Sequence, residues 1–310
     1  MFKPEIQKML NELRTDNSSG ASELINNALA IIQFQLDLIS NDNEHIKEVI
    51  IDLSREIINS RPSMAPLINA IGYIISDMEV ITKKGILHKL RQFKVDRMKR
   101  EATLENNFRR FITSITWKNP KIMLISYSST ILNLLMNFKE LGAEFYVLES
   151  RPLLEGRCTA EILAKNFITH MIIDAAIGKF IDQIDLILIG IDSVLKDGSI
   201  INKIGTYPLS VMAYEKSIDV YGIGESFKYN LKSHYGLNVQ IEEKPNEEVY
   251  DKQDLNKNIE IHNFYFDITP PKYIKGIISD IGILPPKKFV KKIKKILPID
   301  WFQLFLKDND

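Results

Sequence analysis

The hydrophobic rhythm of the chain changes once, near Trp117. Before that point apolar residues recur at spacings of three and four. Ile6, Leu10 and Leu13 make one stripe. Leu24, Ala28, Ile31, Ile32 and Leu36 make a second, and Ile46, Val49, Ile50, Leu53 and Ile57 a third. Such spacing puts each set on one face of an α-helix and predicts amphipathic helices around a common core. Asn17-Ser18-Ser19-Gly20 separates the first two, with Ser19 or Ser22 as a candidate cap for the second. The stretch Arg61-Pro62-Ser63-Met64-Ala65-Pro66 is another break, because proline cannot sit inside a helix. After Trp117 the apolar residues come in short continuous runs: Ile122–Ile125, Phe145–Leu148, His170–Ile173, Leu186–Ile191 and Val220–Ile223. Runs of that length alternating with helical stretches predict a mostly parallel sheet with helices on both faces. The expected fold class is therefore α/β, helices first and the sheet second.

In such sheets ligands bind at the carboxyl ends of the strands. Those ends carry Ser126-Tyr127-Ser128-Ser129, then Glu149-Ser150-Arg151-Pro152 with Glu155-Gly156-Arg157, then Asp174, Asp192 and Glu225-Ser226-Phe227-Lys228. Arg151, Lys203 and Lys228 make this edge cationic. Asn202 to Thr206 is expected to open a helix whose free N–H groups would favour an anion. The segment Asp185–Tyr207 thus reads as the rim of a phosphate-ligand pocket. Each residue also has a purely structural reading. Asp192 could cap a turn, Asn202 and Lys203 could be a helix start, and Arg151 could pair with Glu149 or Glu155. No G-x-G-x-x-G and no G-x-x-x-x-G-K-[ST] occurs, which disfavours a dinucleotide dehydrogenase or an ordinary NTPase.

Charge narrows the picture little. The 40 Lys and Arg balance the 40 Asp and Glu. Lys83 to Arg110 holds ten basic residues against three acidic ones. It reads as the solvated face of a long helix, the alternative being a docking face for an acidic partner or RNA. Phe93 and Phe108 are too few aromatics for a base-stacking platform. Lys287 to Lys295 reads as another solvated helix face, and Glu242–Asp254 as an exposed loop. The single cysteine, Cys158, excludes an intrachain disulfide and is expected to be small and partly buried. The five histidines show no metal spacing, so no metal or cofactor is expected. The first ten residues carry charges and no long apolar core. No apolar run reaches the ~20 residues that span a bilayer, so no membrane contact is expected, and the single cysteine suits a reducing, cytoplasmic setting.

Six strings stand in a telling order: SSGASEL (Ser18–Leu24), RPSMAPL (Arg61–Leu67), ESRPLLEGR (Glu149–Arg157), GIDSVLKDGSIINKIGTY (Gly190–Tyr207), ESFKYN (Glu225–Asn230) and FDITPPKYI (Phe266–Ile274). Together they resemble the family that unites the alpha, beta and delta subunits of translation initiation factor 2B with isomerases of methylthioribose 1-phosphate and ribose 1,5-bisphosphate. The resemblance implies an N-terminal helical domain, expected over 1–116. It also implies a Rossmann-like domain for ligand binding and dimerisation, expected over 117–310. It further implies a homodimer or higher oligomer, contacts with related subunits or initiation factor 2, and a phosphorylated sugar or nucleotide as ligand. The implied ligand-binding set is Gly20, Ala21, Arg61, Ser126, Ser128, Arg151, Asp192, Asn202, Lys203 and Lys228.

The family's isomerases use a cysteine at the end of the first strand and an aspartate after the fourth. Asp192 matches the aspartate, but the cysteine position falls on Ser126. Moving a carbonyl between adjacent carbons needs an acid and a base. A thiol with a pKa near ~8.5 can be tuned to that work, whereas a serine hydroxyl needs an activating neighbour. Ser126-Tyr127-Ser128-Ser129 instead resembles the tyrosine-serine strand end of the initiation-factor subunits. The expectation is a regulatory subunit, with a sugar-phosphate isomerase using Asp192 as the alternative.

Overall fold

The computed structural model describes residues 2–16, 20–40, 45–62, 64–76, 82–250, 256 and 258–305. Five helices come first: α1 (Pro4–Thr15), α2 (Ala21–Leu38), α3 (Ile46–Ser60), α4 (Ala65–Ile75) and α5 (Lys83–Thr113). The stripes read from the sequence are their buried faces. Ile6, Leu10 and Leu13 are buried on α1, the five stripe residues on α2, and Ile46, Ile50, Leu53 and Ile57 on α3. Of the two candidate caps, Ser19 lies outside the described residues and Gly20 holds the N-cap position of α2. The helix α4 is buried almost all round, and Pro66 stands in its first turn, where no intrahelical N–H is needed. Thr82 caps α5 by accepting from Gly85 N at 3.1 Å.

A seven-stranded sheet follows, in the order β10-β9-β7-β4-β1-β2-β3. Its strands are β1 (Lys121–Ile125), β2 (Glu144–Leu148), β3 (Ile168–Ile172), β4 (Leu186–Gly190), β7 (Asp219–Ile223), β9 (Gly276–Ser279) and β10 (Gly282–Leu284). All pairings are parallel except β10 with β9. Counting only the parallel strands, the order is 3-2-1-4-5-6, the doubly wound Rossmann arrangement. A small second sheet joins β5 (Ser193–Val194), β6 (Ile200–Lys203) and β8 (Phe266–Thr269).

Side-chain alternation divides the core in two. Ile122, Leu124, Phe145, Val147, Leu186 and Leu188 face α6 (Ser129–Met136), α7 (Gly156–Leu163) and the C-terminal half of α5. Met123, Ile125, Tyr146, Leu148, Ile187 and Ile189 face the other way. There they meet α8 (Ile177–Phe180), α9 (Thr206–Glu215), α10 (Leu231–His234), α11 (Pro286–Ile293) and the helical bundle. One expectation fails at the edge. The run His170–Ile173 predicts a strand covered on both faces like the others, but β3 is the last strand of the sheet, and Ile168, Met171 and Ile173 are exposed. Cys158 also departs from expectation, standing exposed on α7.

The bundle grips the segment that follows β7. Asn69 of α4 is buried and donates through Nδ2 to Phe227 O at 2.6 Å and Tyr229 O at 2.7 Å. Replacing it with alanine strands two carbonyls away from water. We expect Asn69→Ala to lower stability by about 2–4 kcal/mol, read from urea unfolding. A loss below ~1 kcal/mol would show that water replaces both bonds.

Candidate functional site

The winding of the chain reverses between β1 and β4. The helices α6 and α7 lie on one face and α8 and α9 on the other, so a crevice opens at the carboxyl ends of these two strands. The first residue past β1 is Ser126, with a left-handed φ of 72°. Its amide donates to Ser150 Oγ at 2.7 Å, and its carbonyl accepts from Thr159 Oγ1 at 2.9 Å. Ser150, beyond β2, is also left-handed at 65° and fully buried. Asp174 accepts the amides of Ser150 and Arg151 at 2.8 and 2.7 Å. Two serines in a conformation that costs roughly 1–2 kcal/mol each are thus held by side-chain bonds from two strand ends and from α7 (Gly156–Leu163). Close packing also fixes the turn into α7. A Cβ on Gly156 would stand 1.8 Å from Leu148 O, so only glycine fits.

Glu155 is the hub of the crevice. Its Oε1 accepts from Ser126 Oγ at 3.2 Å and lies 2.7 Å from Lys203 Nζ. The lysine is almost entirely enclosed, and its approach is close but bent, so its N–H bonds are not aligned on the carboxylate. The Tyr265 ring covers the ammonium at 5.4 Å. The second oxygen of Glu155, Oε2, is buried with no hydrogen bond among the described residues. Asp192 follows β4. It keeps some accessible surface but is ringed by protein, and its carboxylate makes no hydrogen bond among the described residues. Burial pushes its pKa above the ordinary value. Lys228 and Lys203 pull it back, and Glu155 adds to the rise.

Not every expected residue converges here. Asn202 is buried on β6 and donates to Thr206 Oγ1 at 3.0 Å. Ser128 caps α6, accepting from Ile131 N at 3.4 Å. Both flank Gly190, where a Cβ would come within 3.3 Å of Asn202 Oδ1 and 3.4 Å of Ser128 Cβ. Arg151 is exposed and donates to Val249 O at 3.0 Å, away from Glu149 and Glu155. Arg61 donates to the carbonyls of Leu13, at 2.8 Å, and Asp16, at the end of α1. Gly20 is exposed at the start of α2, followed by Ala21. Arg97 bridges from α5 to α2, donating to Asn26 Oδ1 at 3.2 Å.

The helix expected at Asn202–Thr206 is corrected. Asn202 and Lys203 end β6, and α9 begins only at Thr206. Its free N-terminus is already satisfied, because Asp267 Oδ2 accepts from Gly205 N at 2.8 Å and Tyr207 N at 3.0 Å. An internal carboxylate occupies the place where an external anion was expected. With Glu155 and Asp192 facing Lys203 and Lys228, the crevice is balanced rather than cationic. Glu155 and Asp267 lie within the strings ESRPLLEGR and FDITPPKYI, and Tyr265 directly precedes the second, but strand-end logic alone gave them no ligand-binding role.

Comparison with known proteins places this geometry. A profile described as the initiation factor 2 subunit family matches residues 17–286. The chain belongs to that family. Among relatives, a Pyrococcus furiosus protein named as translation initiation factor eIF-2B subunit 2-like is 33% identical over 297 residues, covering 94% of this chain and 100% of the relative. The ribose 1,5-bisphosphate isomerase of Methanocaldococcus jannaschii is 28% identical over 264 residues, covering 84% of each. The crystal structure of the Pyrococcus horikoshii OT3 translation initiation factor eIF-2B superposes with a TM-score of 0.77 at 25% identity, covering 93% of this chain and 100% of the other. Initiation-factor-like members and sugar-phosphate isomerases therefore share the family fold seen here.

Asp267 supplies a test of the electrostatics. Burial raises its pKa from 3.8 to about 6, against the lowering pull of the Tyr207 and Gly205 amides. A carboxyl with a raised folded value stabilises most when protonated, below its unfolded pKa, and that contribution is lost as pH rises through about 6. The shift corresponds to roughly 3 kcal/mol at ~1.4 kcal/mol per unit. In urea titrations at successive pH values, the stability of Asp267→Asn relative to wild type should rise between pH ~4 and ~7. A flat difference would show that Asp267 titrates as an ordinary carboxyl.

Proposed function

We propose that this chain is a binding and assembly subunit of the initiation factor 2B type, whose crevice holds a sugar phosphate or nucleotide without converting it. Ser126 carries this reading. The position that needs a tunable thiol holds a hydroxyl, and that hydroxyl donates to Glu155, whose charge is shared with Lys203. A hydroxyl committed to a paired carboxylate is a poor proton carrier at neutral pH. In this role Asp192, Asn202, Lys203 and Lys228 contact the ligand. Residues 117–310 form the ligand-binding and dimerisation domain and residues 1–116 the helical domain. The outer surfaces meet a second copy, related subunits or initiation factor 2 in the cytoplasm.

One observation favours a second reading, a sugar-phosphate isomerase of the ribose 1,5-bisphosphate type. Asp192 combines burial, a raised pKa and no hydrogen-bond partner among the described residues. Those are the properties of a carboxyl poised to carry a proton. The two readings separate cleanly. Native mass spectrometry of the purified protein is expected to give a dimer or larger assembly retaining a phosphorylated ligand, and a bare monomer would sink the subunit reading. Incubation with ribose 1,5-bisphosphate, followed by NMR, is expected to give no ribulose product. Turnover that falls ~100-fold or more in Asp192→Asn would replace the subunit by the isomerase.

A further inference from the structure

The two basic runs of the chain meet different fates in the fold. On α5 the charges are largely consumed. Arg97 pairs with Glu101, Lys99 with Asp96, Arg100 with Glu225 and Arg109 with Glu105, while Lys83 donates to Ile39 O. On α11 and the turn after it, Lys287, Lys288, Lys291, Lys292, Lys294 and Lys295 are all exposed. None of the six forms an ion pair among the described residues; Lys292 alone is engaged, donating to Ile281 O at 2.7 Å. No acidic residue lies between Asp280 and Asp300. The helical turn continues past α11 through bonds from Lys294 N to Val290 O and Leu297 N to Ile293 O, which keeps the last two lysines in helical register. Lys288, Lys291 and Lys295 fall three and four residues apart, on the side opposite the buried Phe289, Val290 and Ile293.

The positive field extends beyond this helix. A Cβ on Gly198, in the turn between β5 and β6, would meet Pro286 and Lys287 at 3.1–3.3 Å, so that turn and its exposed Lys196 lie against the start of α11. His234 sits between the two. Its Nδ1 pairs with the Tyr229 hydroxyl at 2.8 Å, and its pKa is held below the ordinary value, first by burial and then by Lys294 and Lys196, with Asp300 opposing. Seven lysines here outnumber the one carboxylate of that turn, Asp197, which accepts from Ser199 N and Oγ at 2.9 Å; on a chain of zero net charge they repel one another and form a surface that attracts polyanions.

We propose that the lysine face of α11, extended by Lys196 on the β5–β6 turn, docks the phosphodiester backbone of double-stranded RNA. The chemistry favours this partner over the alternatives. A membrane would need the apolar face of α11, but Phe289 and Ile293 are fully buried in the core. Base stacking would need exposed aromatics, and Trp301 and Phe302 beside the patch are buried. Lysine ammonium groups are point charges that meet phosphate without reading sequence. The choice of RNA over DNA rests on the translation-factor reading above, while the patch itself is independent of the crevice chemistry.

The test is fluorescence anisotropy of the full chain with a labelled RNA duplex of about two helical turns across a salt series. Wild type is expected to lose affinity with salt at a logarithmic slope of about −4.5 to −6.3, for about five to seven phosphate contacts at about −0.9 each. The Lys288→Gln/Lys291→Gln/Lys295→Gln variant should reduce that slope by about 3, and the matching glutamate variant should weaken binding by ~30-fold or more. Lys84→Glu/Arg91→Glu/Lys94→Glu on α5 alters net charge equally and should change affinity less than ~3-fold. Three results would overturn the proposal: a salt slope unchanged in the glutamine variant, equal losses from the α5 and α11 reversals, or a polyglutamate probe that binds more tightly than RNA. Tighter binding of a DNA duplex of equal length would overturn the assignment to RNA. The mass-spectrometric and turnover outcomes above bear only on the choice of RNA over DNA and not on the salt slope or the charge reversals, so failure of either reading can be told from failure of the other.

Discussion

The structure depends on one topological constraint, the reversal of winding between β1 and β4. A right-handed crossover must place its helix on one face of the sheet or the other. Here α6 and α7 go one way and α8 and α9 the other, and the strand ends between them cannot be covered by either set. Backbone that leaves the sheet at this gap must satisfy its polar groups by other means. The left-handed turns at Ser126 and Ser150, the amides held by Asp174 and the tight passage at Gly156 answer that need.

The same gap sets the electrostatics. Burying an ammonium costs several kcal/mol unless a counter-charge comes with it. Lys203 is tolerated because Glu155 lies 2.7 Å away and the Tyr265 ring covers it. The arrangement leaves one oxygen of Glu155 and the carboxylate of Asp192 with unused acceptor capacity among the described residues.

Much of this was legible in the sequence, for reasons that also explain what was not. The stripes of α1, α2 and α3 and the runs in β1, β2, β4 and β7 were readable because burial imposes a period on them. The run in β3 was equally apolar, yet it lies at an edge, and hydrophobicity alone does not distinguish an edge from a centre. The short strands β5, β6 and β8 carry too few residues to set a rhythm. Strand-end logic placed Ser126, Asp192 and Lys228 beyond the carboxyl ends of β1, β4 and β7, where they stand. It misjudged Asn202–Thr206, because the partner that decides that turn, Asp267, comes from a strand 60 residues later. Long-range pairing of this kind leaves no local trace.

The long helix α5 belongs to both halves of the molecule. Ile86, Leu90 and Phe93 pack into the core shared by the bundle and one sheet face, while Leu104, Phe108, Phe111 and Ile112 pack against the other face. Asn107 fastens it to β9 through a 2.8 Å bond to Ser279 O. At 1.5 Å per residue its 31 residues extend for roughly 46 Å without a proline or a cap between the two contacts. A continuous helix is stiff along its axis, so it behaves as an axle: a tilt at one end must be matched by an opposite displacement at the other. An event in the crevice that moves Glu225, which is tied to Arg100 near the middle of that axle, would therefore be felt by the bundle as a rotation rather than a local adjustment.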